Sequence, residues 1–237
     1  MATNNVGDPI IHGNRDYAGI FVDENAGDTT ISYQDVWVQI DVFTDDMPEN
    51  ISNGAFGTNN MTVGATAAYE VKFTGYGTAA GTAKTYEFSA FEITTTTATV
   101  QSNTEADPGV FTFTATHPFS TGDHIRFTGL NNITELNDQI FNVVDTGATT
   151  VSIKDEAGVD FVTSGLGVAN TGTATLVMEL DQVHCHRKWA NQDIGSYSGC
   201  GIASLTKDNT LEMQMCCISD ATDMLVEGMS FSIKKVG

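Results

Sequence analysis

The densest group of metal-capable side chains in this 237-residue sequence is His184-Cys185-His186. On a strand, where side chains alternate between faces, His184 and His186 share one side and Cys185 takes the other. Two imidazoles so placed suit a transition metal, above all if a threefold axis gathers three copies. No second ligand pair stands nearby in sequence, so the plainer expectation is a polar strand edge where Arg187 and Lys188 meet acidic neighbours. Metal ligands and cofactors are accordingly expected to be none. The acidic groups Asp23-Glu24-Asn25…Asp28 and Asp41…Asp45-Asp46…Glu49 offer oxygens of the kind calcium takes. They lack the D-x-[DN]-x-[DN]-G spacing and read as solvated turns. Adjacent Cys216 and Cys217 face opposite ways on a strand and cannot bridge each other, so one is expected in the core and one at the surface. With Cys185 and Cys200 they are expected to be reduced. Gly195-Ser196-Tyr197-Ser198-Gly199 sets its serines out of register for a nucleophile elbow, and no helix follows. A phosphate loop and H-E-x-x-H are also missing from the sequence. No catalytic residue is assigned, and the chain is expected not to be an enzyme.

The elements that must hold these side chains are strands. Thr, Val, Ile, Phe and Gly dominate, and the apolar period is two almost throughout. Val36, Val38, Ile40 and Val42 alternate with polar positions, as do Tyr69, Val71 and Phe73, then Leu211, Met213, Met215 and Cys217, then Met229, Phe231 and Ile233. Turn signals separate the runs at Asn25-Ala26-Gly27-Asp28, Asn53-Gly54, Thr121-Gly122-Asp123 and Lys207-Asp208-Asn209. Many short strands at this spacing predict an all-β sandwich or barrel. Some strands carry bulk on both faces: Trp37 and Phe43 fall on a nominally polar side, and Tyr86, Phe88 and Phe91 occupy both. Such a strand is covered twice, by its own fold or by a neighbouring subunit. The subunit reading assigns an oligomer interface to Trp37, Phe43, Tyr86, Phe88, Phe91, Met213, Met215 and Phe231.

Thirty acidic residues against ten basic ones give a net charge of −20. That surface repels phosphate backbones, which excludes direct nucleic-acid binding and disfavours anionic membranes. No stretch approaches the ~18 apolar residues of a membrane span. Met1-Ala2-Thr3-Asn4-Asn5 lacks a basic n-region and an apolar h-region, so synthesis in the cytoplasm is expected.

Composition shifts at Thr94-Thr95-Thr96-Thr97 and again near Asn170-Thr171-Gly172-Thr173. Between them come His117-Pro118-Phe119-Ser120-Thr121-Gly122-Asp123-His124-Ile125-Arg126-Phe127, Leu136-Asn137-Asp138-Gln139-Ile140-Phe141-Asn142-Val143 and Thr149-Thr150-Val151-Ser152-Ile153. This succession resembles the small β-barrel called the FCCH-type domain, first named in ubiquitin-activating enzymes and frequent in phage structural proteins. The flanks carry Asn25-Ala26-Gly27-Asp28-Thr29-Thr30-Ile31, Asp208-Asn209-Thr210-Leu211-Glu212-Met213 and Met229-Ser230-Phe231-Ser232-Ile233. They resemble the tumour-necrosis-factor/complement-type jelly rolls of tailed-phage and marine-virus particles.

The expected organisation is an N-terminal arm (1–16), a discontinuous jelly-roll sandwich (17–93 and 179–237) and an inserted barrel (94–178) joined through Thr-rich and Gly/Thr-rich connectors. The resemblance implies a homotrimer on the outer surface of a virion, a capsid decoration, cement or head-fibre protein contacting the major capsid protein or other virion proteins. The alternative is a receptor- or host-glycan-binding fibre or spike, with Trp189 as the residue on which a sugar would stack.

Overall fold

The computed structural model describes residues 17–43, 45–47, 59–190 and 194–236; the expected arm, Glu49 and the turn at Asn53-Gly54 lie outside them. The described strands, in chain order, are β1 Tyr17–Val22, β2 Asp28–Thr29, β3 Trp37–Gln39, β4 Asp45–Met47, β5 Asn60–Thr62, β6 Ala67–Ala79, β7 Lys84–Asn103, β8 Val110–Phe113, β9 His124–Thr128, β10 Gln139–Gly147, β11 Thr150–Lys154, β12 Thr173–Trp189, β13 Ile194–Leu205, β14 Thr210–Cys217 and β15 Met224–Lys235. Every ladder between them is antiparallel.

The sandwich has a back sheet in the order β13-β6-β15-β1-β4, with β2 paired to β15. Its front sheet sets β12 beside β7 and β7 beside β14, whose far edge takes β3 and β5. Consecutive strands β6 and β7, β12 and β13, and β14 and β15 alternate between the two sheets, and the first strand pairs with the last, Tyr17 opposite Lys234 through Val22 opposite Met229. That non-local pairing is the jelly-roll arrangement. The period-two alternation sends Tyr69, Val71, Phe73, Tyr86, Phe88, Met213, Met215, Phe231 and Ile233 into one core between the sheets. Gly75 on β6 is required there: a Cβ would stand 2.7 Å from the Tyr197 ring, which stacks on Phe88 at 3.9 Å.

The second body is a closed six-stranded barrel, β7-β8-β11-β10-β9-β12 and back to β7. Its core is a chain of phenylalanine contacts: Phe111 on Phe127, Phe127 on Phe141, Phe141 on Phe161. Pro118 and Gly122 (φ +95°) shape the turn before β9. Ile125 and Phe127 then both enter the core.

The bodies are not joined by loops. β7 and β12 run unbroken from sandwich to barrel, and the expected Thr connector is strand. Each strand bulges where it crosses. Thr94–Thr96 stand opposite Leu176 alone, and the bulge is closed by Thr94 Oγ1, which donates to Leu176 O and accepts from Thr96 N. Residues 180–183 form the second bulge, opposite Ala90 alone. β3 ties the bodies again, pairing with β10 on one side and β14 on the other. A third apolar cluster, Trp37, Phe91, Ile93, Ile140, Val177 and Cys216, fills the junction.

Candidate functional site at the junction of sandwich and barrel

Strand alternation directs Glu87, Ser89 and Phe91 of β7, Glu212, Gln214 and Cys216 of β14, and His184 and His186 of β12 away from the main core and toward the barrel. The barrel covers much of that face, so it is polar and buried together. The four-residue bulge in β12 returns Glu179 to His184: Glu179 Oε1 lies 2.9 Å from His184 Nδ1, close although off the line of an ideal hydrogen bond. His184 Nε2 is 3.7 Å from Glu87 Oε2, and His186 Nδ1 is 3.0 Å from Glu87 Oε1. The two imidazoles stack at 4.7 Å, with planes 9° apart, and the Trp37 ring meets His184 edge-on. Cys185, on the opposite face, packs against the main core, and burial pushes its thiol up to about 11.

Barrel residues complete the cluster. His124 Nε2 reaches Glu156 Oε2 at 3.2 Å, and Asn142 Nδ2 donates to the same oxygen at 3.0 Å. Burial pushes the His124 imidazole down, but the Glu156 carboxylate outweighs it and the net shift is upward. Glu156 is the mirror case: burial raises it, and His124 brings it below the ordinary carboxylate range. The neighbouring carboxylate of Glu179, opposed by burial, raises His184. Burial raises Glu87 more than His186 and His184 lower it. Deeper in the junction, Arg126 of the barrel is paired with Glu212 of the sandwich, and Gln214 Nε2 donates to Glu212 at 3.1 Å. Burial holds Glu212 above its usual value despite Arg126.

His184 and His186 therefore share a face as their spacing predicts, but the proposed oligomer contacts do not stand. Trp37, Tyr86, Phe88, Phe91, Met213, Met215 and Phe231 are all 0% exposed in the single chain, and Phe43 is 2% exposed. Their bulk on two faces is explained within one chain, by the back sheet on one side of the front sheet and the barrel on the other. Trp189 is also withdrawn from any receptor. It is 2% exposed, its indole donates to Gly77 O at 3.1 Å, and Arg187 lies over its ring. Residues 191–193, which follow it, lie outside the described residues. Cys216 and Cys217 are both buried, because the face expected to meet solvent meets the barrel. All four cysteines are free. Glu87, Glu179, His124 and Glu156 escaped the sequence reading: they lie far apart along the chain, and no spacing motif announces a bulge.

No protein-family model matches the chain, and no curated protein does. Among solved structures it is similar to the Eiger TNF of S. frugiperda, with a TM-score of 0.42 and 10% identity over 94% of this chain and 94% of that one. It is also similar to murine APRIL at pH 5.0, with a TM-score of 0.40 and 7% identity over 93% of this chain and 99% of that one. The strand order of its own two sheets is what makes the sandwich a jelly roll.

Proposed function

We propose that the chain is a non-catalytic structural protein of a virion's outer surface, a homotrimeric capsid decoration, cement or head-fibre component that clamps neighbouring virion proteins. The observation that carries this reading is the outward face of the back sheet. Across β6, β13 and β15 it presents Thr74, Thr78, Ser196, Ser198, Ser204, Ser230 and Ser232, with Tyr76, Ile194 and Ile202 standing out as exposed bulk. On those three strands Glu70 and Glu227 offset Lys72 and Lys234, and Asp23, which accepts from Tyr76, adds one negative charge at the groove, while the whole chain carries −20. Copies so acidic repel each other through most of their surface, and a face of low net charge is where close approach costs least. The same face holds a groove of about 520 Å³, lined by Phe21, Val22, Thr74, Tyr76, Met229 and their neighbours. Gly228 lets Tyr76 lie against the sheet, since a Cβ would meet its ring at 2.2 Å.

Association through this face buries apolar area at ~25 cal/mol per Å². It leaves the barrel, on the far side of the front sheet, free to project. Two continuous strands and a filled junction suit a rigid part that transmits load. The receptor- or glycan-binding alternative loses its stacking residue with the burial of Trp189. The test is localisation: gold-labelled antibody on purified particles should mark their outer surface, and label confined to the particle-free fraction would end the proposal.

A further inference from the structure

The geometry points to a transition-metal site of the kind zinc occupies, formed by Glu87, His184 and His186, with Glu179 orienting His184. This inference is independent of the virion reading. The three ligand atoms lie within 4.8 Å of one another. A tetrahedral ion with arms of ~2.0–2.1 Å sets its ligands ~3.4 Å apart; the Glu87 carboxylate lies 3.0 Å from His186 Nδ1 through Oε1 and 3.7 Å from His184 Nε2 through Oε2. Small side-chain rotations close the set.

Three further observations favour an ion over simple ion pairs. The two imidazoles are stacked in parallel and both approach one carboxylate, so each can turn a ring nitrogen to the same ion. His184 Nε2 is buried and makes no hydrogen bond, although it faces the Glu87 side chain, itself only 10% exposed. On the other edge of the ring, Glu179 favours the tautomer with hydrogen on Nδ1, which leaves the Nε2 lone pair toward Glu87. A carboxylate behind a histidine in this way is the usual outer support of a metal ligand. Cys216 Sγ, 3.8 Å from Glu87 Oε2, backs the carboxylate from the sandwich side. His186 is largely exposed and opens the site to solvent, so water can supply a fourth ligand. Two imidazoles and one carboxylate select zinc-like ions over calcium or magnesium. The neighbouring trio His124, Glu156 and Glu179 is the weaker candidate, because His124 and Asn142 already occupy the Glu156 oxygen.

The experiment is titration of the chelator-treated full chain with zinc by calorimetry, and with cobalt by visible absorption. One ion per chain should bind and raise the unfolding temperature by ~5–10 °C at a hundredfold excess over Kd. His186→Ala, at an exposed position where folding is not at stake, should abolish the four-coordinate cobalt spectrum, as should His184→Ala. Glu179→Gln should weaken zinc roughly 10- to 100-fold, and His124→Ala should leave it unchanged. Circular dichroism verifies the fold of each variant. Absence of binding, retention of the cobalt spectrum in His186→Ala, or its loss in His124→Ala alone overturns the assignment.

Discussion

The two outer sides of the sandwich are built from the same kind of alternating strand and meet opposite fates. Outside the front sheet, Glu87, Ser89, Phe91, Glu212, Gln214 and Cys216 are all buried, because the chain's own barrel lies over them. Outside the back sheet, Thr74, Ser196, Ser198 and Ile202 remain exposed on a face of low net charge. In this chain the large side chains on both faces of the front sheet mark a contact the molecule makes with itself.

The comparison breaks hardest at the junction. Phe91→Ala removes the ring that packs edge-on against Trp37 and should cost about 3–5 kcal/mol in denaturant unfolding. Arg126→Ala leaves Glu212 buried without its cation, at a similar cost of about 3–5 kcal/mol, whereas replacing both by apolar residues of like volume should bring stability back to within ~1 kcal/mol of the parent or above it. Thr94→Val, which unmakes the bulge's two side-chain hydrogen bonds, should cost ~1–3 kcal/mol.

A pH series sharpens the picture without changing the shape of the core. The folded-state pKa of His124 lies above its unfolded value, so its contribution is complete below ~6.5 and is lost as pH rises through the folded value. The folded-state pKa of Glu156 lies below its unfolded value, so its contribution is present above ~4.3 and is lost as pH falls through the folded value. In chelator, the unfolding temperature should therefore decline from mildly acidic toward alkaline pH, and His124→Gln should flatten that decline. The charges that act on His124 besides Glu156 are Glu179 and Asp181. Ile202→Ser, on the opposite side of the molecule, should move stability by no more than ~0.5 kcal/mol.

Much of the fold is legible in sequence because it depends on local alternation. Leu211 to Cys217 reads as one buried face, and the turn around Gly122-Asp123 leads two apolar residues into the barrel core. The pairing of the first strand with the last follows from the jelly-roll reading. What alternation cannot say is what covers an outward side chain. Trp37 and Phe91 look the same whether a barrel or a second subunit lies above them. Half of the candidate metal site was visible, since His184 and His186 are two apart on one strand. The other half, Glu87 and Glu179, depends on strand pairing and on a bulge that places 180–183 opposite Ala90, and no periodic pattern records either.

The assignment of the back sheet to self-association is tested most directly by the mass of the chain in solution, measured by light scattering for the parent and for Thr74→Glu, which sets a new charge at an exposed position in the middle of that face. The account predicts a particle of about three times the 25.3 kDa chain mass for the parent, and single folded chains for the variant. A parent that stays at one chain mass when concentrated, or a variant that assembles as the parent does, would contradict it.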